Sequence, residues 1–202
     1  MKKLIYTITL FVITLFVCNQ CKNPSSQEPD KKIEQAVLDF YDYKNGTYWV
    51  YQDTFGNIDS TWVSEYTNSQ ACEGPEKNAI CVQNIRYYIS SNRTTDRIRA
   101  DIYPSFTENS TGCGWYMENS VGTGLGWGWN LTYEDNTFSS SRNIVERFET
   151  YTVNGEVFND AYKMKTSIYD DADLLIIAKN KGIITKGSVK FPSKLIRYNI
   201  VR

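Results

Sequence analysis

The chain has 202 residues, room for one domain with a sizeable core. Its 22 basic and 23 acidic residues leave a formal net charge of -1, a balance that gives no electrostatic case for nucleic acid, which would want a clustered basic surface. It contains no histidine, which excludes Ser-His-Asp and Cys-His nucleophile activation and removes the commonest zinc ligand. No metal site and no cofactor are expected.

Aromatics make up 14% of residues. Tyr and Trp suit a pleated surface that is apolar on one side and wet on the other, so the composition itself points to β-structure.

At the amino terminus Lys2 and Lys3 precede an apolar run, Leu4 to Val17. The run is short for a bilayer span and has the length of a signal-peptide core. Small residues of the Ala-x-Ala kind do not follow it; Cys18 does. Leu15-Phe16-Val17-Cys18 resembles a lipoprotein signal, cleaved before the cysteine that then carries the acyl chains, with Cys21 as the alternative. Residues 1–17 are thus expected to be removed. Residues 18–32, with Pro24 and Pro29 among polar neighbours, read as a tether, and 33–202 as one β-rich domain. Ile33, Ala36, Val37, Phe40 and Tyr41 recur at helical spacing, consistent with one short amphipathic helix or an extended lead-in to the first strand.

Thr47 to Gln52, a turn over Asp53 to Asn57, and Ile58 to Tyr66 form a hairpin pattern. Residues 67–81 read as a polar loop. Within it Cys72 and Cys81 flank Gly-Pro and polar residues, and in an exported chain that arrangement predicts a disulfide. Val82 to Ser90 and Asp96 to Tyr103 alternate apolar and polar residues as half-buried antiparallel strands. The tract from Thr107 to Tyr133 differs: Gly112, Gly114, Gly122, Gly124, Gly126 and Gly128 sit among Trp115, Trp127 and Trp129. Glycine beside tryptophan suits backbone passing close under a ring; the same indoles, with Tyr133, are the candidate ligand contacts. The tract lacks the strand-to-helix context of a nucleotide-binding loop. Cys113 is left over and reads as a buried free thiol, with a covalent partner or pairing with Cys21 as the alternatives. Asn154-Gly155 is the strongest two-residue hairpin signal, and Leu174 to Ala178, Gly182 to Lys186 and Leu195 to Val201 supply further strands, the last through Ile196, Tyr198 and Ile200. Without β-α-β alternation a parallel sheet is not expected. Asp170, Asp171 and Asp173, and Glu134 with Asp135, are the carboxylate clusters that a glycosidase would need; adjacent acids in turns read first as solvated loop residues, and no catalytic residue is assigned.

Three stretches carry a family resemblance: Gly46-Thr-Tyr-Trp-Val-Tyr with Asp59-Ser60 after the turn, Val153-Asn-Gly-Glu-Val-Phe-Asn-Asp-Ala-Tyr-Lys-Met, and Ala178-Lys-Asn-Lys-Gly-Ile-Ile-Thr-Lys. In this order they resemble the small exported lipoproteins of Bacteroidetes-type bacteria. Asp59-Ser60-Thr61 also resembles the O-glycosylation pattern of those bacteria. The resemblance implies an all-β curved antiparallel sheet or open barrel, lipocalin-like, held by its lipid at the cell envelope, most simply the outer membrane. The expected role is non-catalytic binding of a small apolar or glycan ligand, with an envelope protein partner as the alternative.

Overall fold

The computed structural model describes residues 28–75, 79–94, 97–106, 108–118, 125–166 and 173–202, with the side chains of 117–118 and 125–130 outside that description. One helix, α1 (Gln35–Tyr41), precedes the strands. These are β1 (Tyr48–Gln52), β2 (Ile58–Glu73), β3 (Ile80–Ser91), β4 (Arg97–Pro104), β5 (Thr111–Glu118), β6 (Leu125–Glu134), β7 (Thr137–Ser139), β8 (Ile144–Val153), β9 (Glu156–Lys165), β10 (Asp173–Ala178), β11 (Gly182–Ser188) and β12 (Pro192–Asn199).

All twelve join one antiparallel sheet in the order β7-β6-β5-β4-β3-β2-β1-β12-β11-β10-β9-β8. Every pair of consecutive strands is laddered except β7 and β8, and β1 pairs with β12. The sheet therefore rolls into a nearly closed barrel whose closing ladder joins the two ends of the domain. Its seam lies mid-chain. The all-β, open-barrel expectation holds.

Of the two readings of residues 33–41, the helix forms. Seven residues do not sustain a helix in water; tertiary packing holds this one. Val37, Phe40 and Tyr41, one face at helical spacing, are buried. The Phe40 ring meets Phe138 of β7 at 5.4 Å and Tyr162 of β9 at 5.4 Å, so α1 fills the seam from inside. Its last carbonyls are taken by the C-terminal residue. Arg202 donates Nη1 to Leu38 O (2.5 Å) and Nη2 to Asp39 O (2.7 Å), placing a cation at the negative end of the helix.

The expected loop at 67–81 is instead a two-stranded ribbon. β2 runs to Glu73 and β3 starts at Ile80, with Cys72 opposite Cys81. β1 covers β2 only over Ile58–Trp62, and β4 covers β3 only over Ile85–Ile89. The ribbon thus projects past its neighbours. Among its described side chains Val82 alone is buried, so it shows no apolar alternation, although its backbone stays paired.

Contacts with the domain also begin before Ile33. Lys31 bridges Val82 in parallel, and Asp30 N donates to Cys81 O at 2.8 Å. The Lys31 ammonium donates to three carbonyls of the β4–β5 loop: Ser105 (2.9 Å), Phe106 (3.2 Å) and Glu108 (3.1 Å).

The β8–β9 turn has Asn154 at φ 49 and Gly155 at φ 84, the paired positive values of a type I′ hairpin. Its tip crosses to β12, where Asn154 Nδ2 donates to Leu195 O at 3.0 Å and Glu156 accepts from the Tyr198 hydroxyl at 2.9 Å. In β12 and just after it, Tyr198 and Ile200 of the predicted alternation pack half-buried against the core, but Ile196 does not. The register shifts opposite Val50 and Tyr51, so Leu195 is buried and Ile196 is exposed.

Candidate functional site

The glycine-tryptophan tract forms the β5–β6 hairpin, with Trp115 opposite Trp129 and Thr111 opposite Tyr133. Trp115 is 1% exposed. Its ring stacks on Tyr41 of α1 at 4.5 Å, and its indole N–H donates to the Tyr87 hydroxyl at 3.3 Å. Tyr133 is buried against Phe138, with ring centroids 4.8 Å apart, and its hydroxyl donates to Asn136 at 3.5 Å. Neither ring offers a face to a ligand, because both are committed to the packing between α1 and the barrel wall. This corrects the expectation for Trp115 and Tyr133. The side chains of Trp127 and Trp129 lie outside the described residues, as do Gly122 and Gly124.

The glycines of β5 serve the opposite side of the sheet. Along β4 the side chains of Ala100 and Ile102 are buried in the core, so Arg97, Arg99, Asp101 and Tyr103 point outward. Tyr103 is the register partner of Gly112, Asp101 of Gly114 and Arg99 of Tyr116. A Cβ at Gly112 would meet the Tyr103 ring at 3.3 Å, and one at Gly114 would meet Cε2 of Tyr116 at 2.6 Å. The two tyrosines are therefore laid over bare backbone, and Tyr103 remains 41% exposed.

Guanidinium groups frame these rings. Arg99 lies over Tyr116 with Cζ 5.1 Å from the ring centroid, and Arg97 over Tyr88 at 4.6 Å. Asp101, buried at the centre, accepts from Arg86 Nε at 2.5 Å and pairs with Arg99 Nε at 2.8 Å. Arg97 pairs with Glu65 at 2.6 Å. Burial pushes the Tyr116 phenol above its ordinary pKa, so it stays neutral and a hydrogen-bond donor in any physiological range. The result is a flat aromatic surface with planar cations held in fixed orientation, suited to stacking and to bidentate contact with an oxyanion.

No protein-family model, curated protein or solved structure matches the chain.

Cys72 and Cys81 form a disulfide with Cα atoms 4.1 Å apart, the close spacing of directly opposed strand residues. Cys113 is free and buried, and burial alone raises its thiol pKa. Glu134 and Asp135 are exposed at the β6–β7 turn, and Asp173 is exposed at the start of β10; Asp170 and Asp171 lie outside the described residues. Among the described residues no group of three His, Cys, Asp or Glu side chains could hold a metal ion. Cys18 and Cys21 also lie outside them. A polar cleft of about 760 Å³ lies between the lead-in at Glu28 and Lys32 and the ribbon at Asn68, Gln70 and Gln83.

Sequence reasoning missed the outer surface. Its signal was present: Gly112, Gly114 and Tyr116 share one strand face at period two. Only the register with β4, which no local pattern states, sets Tyr103 and the arginines beside them.

Proposed function

We propose that the chain is a lipid-anchored, non-catalytic module of the bacterial envelope that binds a glycan on the outer face of β3, β4 and β5. The observation that carries the reading is Tyr103 lying over Gly112 with its other face open. An open ring face can stack on the C–H face of a pyranose, while neighbouring donors and acceptors hold its hydroxyls. A small apolar ligand is less well served, since Trp115 is buried against Tyr41 and Tyr87. The anchor is Cys18, with Cys21 as the alternative. The resemblance to exported Bacteroidetes-type lipoproteins supports the envelope address, most simply the outer membrane.

A glycan array probed with the full mature lipoprotein in mild detergent tests this. Binding is expected for wild type and lost in Tyr103→Ala, while Trp127→Ala and Trp129→Ala keep it. An array without hits, or hits indifferent to Tyr103, would discard the reading.

One observation favours a second reading, an envelope scaffold. Among the described residues β2 beyond Trp62 is laddered with β3 and not with β1, so its polar outer edge can take a partner strand. Recovery of a stoichiometric protein partner from solubilised membranes would favour it; recovery of none would count against it.

A further inference from the structure

We infer that the glycan is an extended chain of several sugars, held at one point on Tyr103 and at another on a second aromatic platform formed by Tyr48 and Trp62. The inference rests on the glycan-binding reading and adds to it a further site and a requirement for chain length.

Tyr48 of β1 and Trp62 of β2 are register partners. Their chain neighbours Trp49 and Val63 belong to the buried core, so by strand alternation both rings stand on the outer face of the sheet. Val63 N donates to Thr47 O at 3.0 Å. The next pair, Tyr48 with Trp62, is therefore the non-hydrogen-bonded one, in which side chains lie closer together. Tyr48 is 36% exposed and Trp62 40%. One exposed ring on a sheet is ordinary; two adjacent rings on the face that also carries Tyr103 make a surface.

The ladders set the distance between the platforms. Trp62 is opposite Ser90 of β3, and Tyr88 of β3 is opposite Arg99 of β4. Following that register on to Tyr103 places it about 20 Å along the strands from Trp62 and about 10 Å across them. A disaccharide does not cover that distance, whereas a longer chain laid nearly along the strands does. The stretch between is polar. Ser90 Oγ donates to Ser64 Oγ at 3.0 Å, and Arg97 lies over Tyr88 with Glu65 as its ion partner. Such groups exchange hydrogen bonds with sugar hydroxyls, while an apolar protein surface would have to desolvate them in the middle of its contact. Two platforms on one sheet make the second contact intramolecular, so affinity climbs with chain length until both are filled.

The experiment titrates the full mature lipoprotein in mild detergent with size-graded oligosaccharides, from disaccharide to octasaccharide, of maltodextrin, mannan, chitin and polygalacturonate. In at least one series the octasaccharide is expected to bind about tenfold or more tighter than the disaccharide. Trp62→Ala should bring the octasaccharide to within about twofold of the disaccharide, which still binds through Tyr103. Trp62→Phe, which keeps a ring, should retain most of the gain. Thermal midpoints near wild type check the fold of both, and Tyr48→Ala gives the same reading if that of Trp62→Ala falls. A gain with length that these variants leave intact, or no gain in any series that binds, would overturn the second platform and leave glycan binding at Tyr103 in place. No binding by any series would overturn both readings. A wild-type dimer in sedimentation that Trp62→Ala dissolves would overturn the inference by assigning the Tyr48–Trp62 face to a second copy of the chain.

Discussion

At the scale of single residues, the Tyr41 hydroxyl is a polar group set deep in the core. It is buried and makes no hydrogen bond among the described residues, while its ring packs on Trp115. Leaving a buried hydroxyl unpaired costs about 1–3 kcal/mol. Tyr41→Phe keeps the ring and removes that cost, so its unfolding free energy should equal or exceed wild type by about 1 kcal/mol. A clear loss of stability in urea titration would mean the hydroxyl is satisfied by bound water. Lys186 presents the reverse case. Its ammonium lies 4.5 Å from the Tyr51 ring centroid and 2.5 Å from Asp59, which also accepts from Ser91 at 2.7 Å. Burial lowers the Lys186 pKa, opposed by Asp59. Such a pair adds little net stability, yet removing one member strands the other. Lys186→Met should therefore cost about 2–3 kcal/mol, and Lys186→Met with Asp59→Leu should recover much of it. Additive losses in that double-mutant cycle would contradict the coupling.

Among elements, the first hairpin was the most legible in sequence, because its turn is written in local chemistry. The Asp53 carboxylate accepts from Phe55 N at 2.9 Å, Asn57 N at 2.9 Å and Asn57 Nδ2 at 2.8 Å. The Asn57 side chain, then the backbone donors, hold the Asp53 pKa below its usual value. Lys163 does the same for Glu146 across β8 and β9. A depressed carboxylate stabilises the fold fully above its unfolded pKa, near 4, and less as pH falls through the lower folded value. The thermal midpoint should fall below about pH 4, and Asp53→Asn should flatten that acid limb; an unchanged slope would remove Asp53 from the account. The ribbon at the far end of β2 and β3 was illegible as strand for the reason that makes it fragile: among its described side chains Val82 alone is buried. Its disulfide encloses a separation of nine residues, worth about 2.5 kcal/mol in the chain-entropy model. Cys72→Ser with Cys81→Ser should loosen the ribbon first. Amide exchange is expected to accelerate over 67–83 while the β10 and β11 amides keep their protection. Uniform acceleration would show that the ribbon is not a separate unit.

For the molecule as a whole, alternation and turn residues disclosed the all-β barrel, since half-buried strands must write period two into their sequence. Three features were hidden because each depends on distant residues. α1 is held by Arg202 and by aromatic rings from β5, β7 and β9. Leu195 replaces Ile196 in the core through a register shift against β1. The tyrosine-arginine surface exists only once β4 and β5 are aligned, whereas the tryptophans that stood out in sequence are, at Trp115, packing residues. The seam between β7 and β8 carries a last consequence. No ladder crosses residues 140–143, and the compact turn there is held locally by Ser140 Oγ, which accepts from Arg142 N and Asn143 N. The two halves of the polypeptide meet instead through β1 with β12 and through α1. The chain is therefore divisible. Cut at 140–143, it should persist as two complementing fragments, and rejoined end to end through a short linker between Arg202 and Glu28, it should fold with its new termini at the seam.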